Sequence, residues 1–477
     1  MHELLIDHSA SLLDVLNKIT KSGKGIVFVM EGSKILGTIS DGDIRRKIAH
    51  DKGVEISILE LVNRNFHYAT LNDSPVDIQK MFGTGIRYLP LLDLNGELLR
   101  ILEEIDKPII PVCEPNLGAE EKKLVQNAIE AGWISSSGRY VSEFESLFSN
   151  YVGSQYAISV ANGTLGLVLA LKLMSVGEGD EVIVPNLTFG ATANAVIQCG
   201  AIPKFVDVHP GTYLVSIEKI RAAITPRTKA IIPVHLYGYA ADMFAIRSIA
   251  HEFELKVIED AAEAIGSRIN NQHVGTFGDI GVFSFYANKT ITTGEGGMIV
   301  FNDSSLVENA VKMRAHGFSS QKRYWHDTWG SNFRLTNLQA ALGVGQMSRI
   351  QDFVKSKVEI YSFYRDKLSN FAENKINFID ERVGFTDSYW LSTIKLVNPL
   401  LVENLKLHLQ LNGVETRRIF YPLHSQPAFI AYADANDGFE NSEEAYIHGL
   451  CLPSSTNLRL QDLDKICNLV MEFVDKN

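Results

Sequence analysis

The sequence predicts an α/β protein with a mostly parallel sheet, a smaller subdomain at its C-terminus and a small α+β region before the sheet. Three observations lead to this prediction. Strand-like apolar runs alternate with helical runs between about residues 156 and 260, the pattern of a parallel sheet covered by helices. Two helix and strand repeats precede residue 106, and a long helix followed by mixed strands begins near residue 350.

Length and composition limit the class of protein. A chain of 477 residues exceeds one ordinary core, so we expect two or three domains. The 45% hydrophobic and 21% charged fractions are typical of a soluble protein, and the net charge of −11 argues against a nucleic-acid partner. No apolar run is long enough to cross a membrane, and the N-terminus lacks the pattern of a signal peptide. The four cysteines show no paired spacing, so we expect free thiols, no metal site and a cytoplasmic location.

The N-terminal region contains two similar units. The first has two strand-like runs within residues 25–40, and the second begins with a helix near 74–82. Two such units in tandem resemble a CBS-domain pair, a module that often binds adenine nucleotides. Ser40 and Asp43 match the Ser/Thr-x-x-Asp pattern whose side chains contact ribose in that module, whereas the second unit has Leu102-Glu103-Glu104-Ile105 there. The resemblance implies a purine nucleotide at Ser40 and Asp43, and a pairing module without a ligand is the alternative.

A stretch with three prolines, DKPIIPVCEPNLG at 106–118, follows these units. Proline fixes φ and removes a hydrogen-bond donor, so this stretch is predicted to be an extended connector. We therefore divide the chain into tandem units at 1–106, a linker at 107–117, a large domain at 118–350 and a small C-terminal domain at 351–477.

Three strand ends of the large domain carry residues suited to chemistry. YAISVA is followed by Gly163 and Thr164 at the start of a helix, where free backbone N–H groups suit a phosphate. A second apolar strand ends at Asp260, and Lys289 follows a third within SFYANKTITTGEGGM. In parallel sheets, chemistry gathers at the carboxyl ends of strands.

An anion site, a buried carboxylate and an amine are together what pyridoxal phosphate (PLP) requires. Taken singly, the first two could be helix caps and Lys289 could be a solvated turn residue. Their combination favours a PLP site in which Asp260 faces the ring nitrogen and Lys289 anchors the cofactor.

Residues 116–477 resemble the DegT/StrS-type PLP-dependent sugar-nucleotide aminotransferases, which have the aspartate aminotransferase-like type I fold. The similarity lies in a series of motifs in family order: GWISSSGRYVSEFE, ANGTLGLVLAL, VPNLTFGATANAV, VHLYGYAADM, IEDAAEAIGS, SFYANKTITTGEGGM, WGSNFRLTNLQAALG and ETRRIFYPLHSQPAF.

The resemblance implies roles for individual residues. Lys289 would bind PLP and move a proton, Asp260 would pair with the pyridine nitrogen, and Glu263 would lie near the ring hydroxyl or the substrate. The implied cofactor-binding residues are Gly163, Thr164, Phe189, Asp260, Ser284, Lys289 and Asn332. The implied substrate-binding residues are Trp133, Ser135, His316, Tyr324, Trp325, Arg417, Tyr421 and His424. Asn332 would act from a neighbouring subunit, which makes the protein a homodimer or higher homo-oligomer.

Some of these residues have structural alternatives. Phe189 could be an ordinary core residue, and Ser284 could be a strand hydroxyl that is bonded locally. Aromatic side chains and imidazoles also fill cores, which is the alternative for His316, Tyr324, Trp325, Tyr421 and His424. His235 is left out of the site because a histidine at a buried strand end is more often structural.

The reaction implied by the resemblance is transfer of an amino group from L-glutamate to a nucleotide-linked 4-keto-6-deoxy sugar, as in O-antigen or polysaccharide biosynthesis. The sequence TTGEGG at 292–297 resembles members that aminate the 4-position, and the motifs together imply GDP-4-keto-6-deoxymannose. A UDP-linked 4-keto sugar is the main alternative. A sugar dehydratase is a further alternative, but those relatives replace the anchoring lysine with histidine. Intact Lys289, Asp260 and Thr164 count against a non-catalytic regulator.

Overall fold

The computed structural model describes residues 2–51, 57–70, 72–73, 78, 81–82, 86–103, 110–319, 321–322, 324–371, 375–433 and 438–476. The chain divides into two compact units, Met1–Ile110 with Gly413–Glu415, and Pro111–Asn412 with Thr416–Asn477. Most of the helix predicted at 74–82, two residues of the Leu102–Ile105 segment and the start of the linker at 107–109 lie outside the described residues. The division predicted at residue 350 falls within the second unit and stays a prediction.

The first unit contains two three-stranded sheets with the same arrangement. Its helices are α1 (Leu12–Ser22) and α2 (Asp41–Asp51). Its strands are β1 (Leu5–Asp7), β2 (Ile26–Glu31), β3 (Lys34–Ser40), β4 (Ala69–Thr70), β5 (Tyr88–Leu92) and β6 (Leu98–Glu103). In each sheet the first two strands are parallel and the last two antiparallel. The second sheet therefore repeats the strand directions of the first, and a tandem pair of related units stays a prediction.

Ser40 and Asp43 bond to each other at the start of α2. The hydroxyl of Ser40 donates to Asp43 Oδ2 at 2.6 Å, and the backbone N–H of Asp43 donates to Ser40 Oγ at 3.2 Å. Arg46 also donates to Asp43 Oδ1 at 2.6 Å. These are the bonds of a helix cap, so they account for the pair without a ligand. A nucleotide at this position stays a prediction.

The second unit contains most of the strands and helices. Its strands are β7 (Tyr156–Val160), β8 (Glu181–Pro185), β9 (Ile202–Val206), β10 (Thr228–Ile231), β11 (Lys256–Asp260), β12 (Arg268–Ile269), β13 (Gln272–His273), β14 (Ile280–Ser284), β15 (Gly297–Phe301), β16 (Ile376–Asn377), β17 (Phe385–Thr386), β18 (Ser392–Leu396), β19 (Arg417–Arg418) and β20 (Gly449–Leu452). Its helices are α3 (Ala119–Glu130), α4 (Arg139–Val152), α5 (Gly163–Leu173), α6 (Ala191–Gln198), α7 (Ile217–Ala223), α8 (Met243–Glu252), α9 (Val307–Arg314), α10 (Asn337–Met347), α11 (Ile350–Phe371), α12 (Val402–Leu411), α13 (Glu440–His448) and α14 (Leu460–Lys476).

A seven-stranded sheet with the order β7-β15-β14-β11-β10-β8-β9 forms the centre of this unit. Its strands are parallel except for β15, which is antiparallel to both of its neighbours. Two smaller sheets, β13-β12-β17 and β16-β18-β20-β19, accompany it. The largely parallel sheet predicted from the sequence is confirmed.

Helices cover the large sheet on both faces because its strands are apolar on both. Successive residues of a strand point to opposite faces, and in β14 Val282 packs with α5 while Phe283 packs with α4. The ring centroids of Phe283 and Phe148 of α4 are 4.9 Å apart. Because β7, β11 and β14 run in the same direction, their carboxyl ends meet at one edge of the sheet. In the described part of the chain, no helix is both long and apolar enough to cross a membrane.

Candidate active site

A cavity of about 570 Å³ lies at the carboxyl ends of β7, β11 and β14. It brings together eight of the residues predicted to bind cofactor or substrate. They are Gly163, Thr164, Phe189, Asp260, Glu263, Ser284, Lys289 and Arg417. Sequence segments separated by more than 200 residues therefore meet in one cavity, as the positions of the three strand ends predict.

Lys289 lies between a carboxylate and an aromatic ring. Its Nζ is 3.3 Å from Glu263 Oε1 and 3.7 Å from the centroid of the Trp390 ring. The other oxygen of Glu263 accepts the backbone N–H of Tyr237 at 2.9 Å. Burial raises the pKa of Glu263, and the Lys289 ammonium opposes this rise. Glu263 can therefore receive or return a proton at the amine that it contacts.

Asp260 is a buried carboxylate without an ionic partner among the residues that the structure describes. It accepts the hydroxyl of Thr192 at 2.8 Å and the backbone N–H of Ala262 at 3.2 Å. Burial raises the pKa of Asp260 more than these bonds and the nearby Lys289 lower it. An ionised carboxylate in such a place is costly unless a cation faces it. A protonated pyridine nitrogen is such a cation, so Asp260 fits the ring of PLP.

The start of α5 forms a small anion site. Asn162 caps the helix by accepting the backbone N–H of Leu165 at 2.9 Å. A Cβ atom at Gly163 would lie 3.1 Å from Cβ and 3.5 Å from Oγ of Ser284, so the Ser284 hydroxyl lies beside the helix terminus. Gly297 lies behind this turn, where a Cβ atom would be 2.7 Å from the carbonyl carbon of Asn162. N–H groups, the helix dipole and a hydroxyl here suit a phosphate group.

The carboxylate next to Asp260 has a different role. Glu259 accepts the backbone N–H groups of Gly275, Phe277 and Gly278 at 2.6–2.7 Å, and its Oε2 lies 3.0 Å from His235 Nε2. His235 Nδ1 accepts the N–H of Ala241, so the ring proton lies on Nε2 and is donated to Glu259. Both side chains are fully buried and hold the strand ends together, which is a structural role.

The remaining predicted site residues lie outside this cavity in the described chain. They are Trp133, Ser135, His316, Tyr324, Trp325, Asn332, Tyr421 and His424. Trp133, Tyr324, Trp325 and Tyr421 are more than half exposed. The side chain of Asn332 accepts a bond from Arg334 Nε at 3.0 Å.

His424 is held by the fold. Its Nδ1 lies 2.8 Å from Asn186 Nδ2, its Nε2 lies 3.2 Å from Glu443, and its ring stacks on Phe439. A role in substrate binding stays a prediction for this residue.

Sequence reasoning missed several residues of the site, three of which contact the predicted ones. Thr192 bonds to Asp260, Tyr237 bonds to Glu263, and Trp390 lies against Lys289. Thr192 stands in the first turn of a helix that follows β8, a position that points to the carboxyl edge of the sheet. No local signal identifies Trp390, which is distant from Lys289 in the sequence.

Comparison with known proteins agrees with this geometry. Residues 115–471 match the DegT/DnrJ/EryC1/StrS aminotransferase family, and residues 2–50 match the CBS domain. A GDP-perosamine synthase of Vibrio cholerae is 39% identical over 367 residues, 76% of this chain and 99% of the relative. A GDP-perosamine synthase of Escherichia coli O157:H7 is 40% identical over 364 residues, 76% of this chain and 98% of the relative.

The fold also matches solved structures. The aminotransferase TlmJ from Streptoalloteichus hindustanus superposes with a TM-score of 0.73 at 30% sequence identity, covering 77% of this chain and 99% of that structure. The predicted type I aminotransferase fold is therefore confirmed. The cofactor is PLP, which the residues around Lys289 fit. Sequence, fold and site together place this chain, with its N-terminal CBS domain, in the DegT/DnrJ/EryC1/StrS family of PLP-dependent aminotransferases.

Proposed function

We propose that this chain transfers the amino group of L-glutamate to C4 of GDP-4-keto-6-deoxymannose and so forms GDP-perosamine. The main support is the similarity to two GDP-perosamine synthases over almost their whole length. The cavity supports amino transfer independently, because it combines an amine, a buried carboxylate and an anion site.

The residues of the cavity would divide the work as follows. Lys289, Asp260, Ser284, Gly163 and Thr164 would hold PLP, which supplies a ring that accepts electrons when a C–H bond of the substrate breaks. Asp260 would favour a protonated ring nitrogen, because the positive charge of that nitrogen would balance the buried negative charge of the Asp260 carboxylate.

Lys289 and Glu263 would transfer the proton that leaves the substrate carbon. The amine of Lys289 can remove a proton from one carbon and return it to another, and Glu263, 3.3 Å away, stabilises the ammonium while it carries that proton. Phe189 has an exposed ring that lines the cavity, so it can cover one face of the cofactor and exclude water. Arg417 adds a positive charge for the carboxylate of glutamate or the diphosphate of the sugar nucleotide.

The identity of the nucleotide is tested by comparing the turnover of two sugar nucleotides. With glutamate as donor, we expect kcat/KM for GDP-4-keto-6-deoxymannose to exceed that for a UDP-linked 4-keto-6-deoxy sugar by about tenfold or more, equal to ~1.4 kcal/mol of transition-state binding. Mass spectrometry of the amino-sugar product measures both reactions. A preference for the UDP compound would contradict the proposed nucleotide but leave the proposed aminotransferase activity unchanged. Lack of turnover with every keto-sugar nucleotide would reject the substrate class.

We further propose that the enzyme works as a homodimer in which Asn332 reaches the phosphate of the partner's cofactor. Asn332 is exposed and lies outside the cavity of its own chain. Large aromatic side chains of the same segment, Tyr324, Trp325 and Trp329, are between 52% and 74% exposed. An exposed aromatic surface of this kind is typical of a protein interface.

A mixing experiment tests the shared site. When Lys289→Ala and Asn332→Ala chains are mixed in equal amounts, half of the dimers should be heterodimers. Each heterodimer has one intact site, so the mixture should regain about a quarter of wild-type activity. The matched control mixes Lys289→Ala with Asp260→Ala. Both of those residues line the same cavity of one chain, so every hybrid site keeps a defect and no activity returns. Equal results from the two mixtures, with subunit exchange demonstrated, would contradict the shared site.

A further inference from the structure

A second lysine, Lys357 of α11, is buried close to the active site. Only 1% of the residue is exposed, and it forms no ion pair with any residue that the structure describes. Burying an ammonium group without a carboxylate is costly, so its three N–H donors need other acceptors. The position therefore requires an explanation beyond ordinary packing.

All three donors of Lys357 have acceptors, and these come from three separate segments. Its Nζ is 2.9 Å from the carbonyl oxygen of Trp390, 2.5 Å from that of Ser454 and 3.4 Å from the Sγ atom of Cys113. The ammonium thus joins the start of the second unit, the segment before β18 and the segment after β20.

Two of these partners are hydrogen-bonded to the peptide group that precedes Lys289. The indole N–H of Trp390 donates to the carbonyl oxygen of Asn288 at 2.7 Å, and the thiol of Cys113 donates to the same oxygen at 3.0 Å. On the other side, the backbone N–H of Lys289 donates to the carbonyl oxygen of Tyr286 at 2.9 Å. The backbone at Lys289 is therefore fixed on both sides.

Trp390 also positions the amine itself. Its ring centroid is 3.7 Å from Lys289 Nζ, and the ring stacks on Tyr237, with centroids 6.3 Å apart and planes inclined by 14°. An ammonium over an aromatic face is attracted by the ring, most strongly where water is excluded. Lys357 is bonded to the carbonyl group of this same residue.

We propose that Lys357 is a positioning residue for Lys289. Through Trp390 and Cys113 it holds the peptide and the amine of Lys289 in the place where the amine meets cofactor and substrate. The proposal depends on Lys289 as the reactive amine and is independent of the sugar and nucleotide proposed above.

The test compares two substitutions on one helix. Lys357→Met keeps an unbranched, apolar stem of the same number of atoms and removes the ammonium. Tyr364→Phe is the matched control, because Tyr364 is also fully buried on α11 and donates to the carbonyl oxygen of Pro453 at 2.9 Å, next to Ser454. A merely structural role of Lys357 would give both variants the same effects.

The first readout does not depend on activity. In the cofactor-free enzyme, we expect Lys357→Met to increase the rate at which an amine-reactive probe labels Lys289 by about threefold or more, because the amine is no longer held against Trp390. Labelling is measured by mass spectrometry, with the exposed Lys123 of the same chain as reference. Tyr364→Phe should leave this rate unchanged.

The second readout separates binding from chemistry. Small displacements of a reacting group are costly, so Lys357→Met should lower kcat about tenfold or more and change KM for the sugar nucleotide less than about threefold. Should Lys357→Met fail to fold, Cys113→Ala, which removes the thiol between Lys357 and the Asn288 carbonyl oxygen, and Trp390→Phe, which removes the indole N–H donor and makes the ring beside Lys289 smaller, take its place. Unchanged labelling and kcat in the folded variants, or equal effects of Lys357→Met and Tyr364→Phe, would overturn the proposal.

Discussion

Replacing Lys289 by alanine will abolish amino transfer, with kcat/KM reduced by at least about 10⁴-fold, while the protein remains folded. The amine contacts Glu263 and Trp390 and lines the same cavity as the anion site, so its loss removes both the anchor of the cofactor and the proton carrier. Lys289→Arg should be equally inactive although it keeps a positive charge beside Glu263. Charge alone is therefore not sufficient.

Borohydride reduction provides the direct measurement. It should fix the mass of the cofactor on the peptide that contains Lys289 in the wild-type enzyme and on no peptide of Lys289→Ala. Lys256→Ala is the control, because Lys256 lies at the opposite end of β11 from Asp260. That variant should keep both label and activity. Covalent label on a different lysine of the wild-type enzyme would reject the assignment.

Asp260→Asn will have opposite effects on stability with and without the cofactor. Without PLP, asparagine removes a buried charge that has no ionic partner among the described residues, so we expect unfolding to require about 1–3 kcal/mol more at pH 8. With PLP, the variant cannot neutralise the ring nitrogen, so stabilisation by the cofactor shrinks and kcat/KM falls about 10²- to 10³-fold. Thermal unfolding with and without PLP measures both effects.

The raised pKa of Asp260 also predicts how the stability difference between Asp260→Asn and the wild-type chain changes with pH. Burial raises the pKa of Asp260 above its ordinary value of 3.8, so the folded cofactor-free chain binds this proton more tightly than the unfolded chain. The contribution of Asp260 to the free energy of unfolding of the wild-type chain therefore falls as the pH rises from 3.8 through the raised pKa. The advantage of Asp260→Asn should be absent below this interval, grow through it and stay constant above it. An advantage that shrinks with rising pH would contradict the prediction.

The strand ends made much of the cavity predictable. Gly163, Asp260 and Lys289 each follow an apolar run, and parallel strands bring such positions to one edge of a sheet. Trp390 and Lys357 could not be predicted in this way. Trp390 reaches the cavity from the C-terminal part of the chain, and Lys357 contacts the carbonyl oxygen of Trp390. A tryptophan or a helical lysine has the same local sequence pattern whether it is buried or solvated. Their roles depend on packing between segments that are distant in the sequence, and the hydrophobic periodicity of the sequence does not predict such packing.

The antiparallel strand β15 of the seven-stranded sheet has a consequence for how the protein is made. β7 lies at the edge of the sheet beside β15, so it pairs with residues that are synthesised about 140 positions later. Gly297 of β15 also lies behind the turn that begins α5. A nascent chain that ends before residue 297 therefore has neither the sheet partner of β7 nor the support of its phosphate turn. Pairing over such sequence distances is slow, so the edge of the sheet and the cofactor site should form together, late in translation.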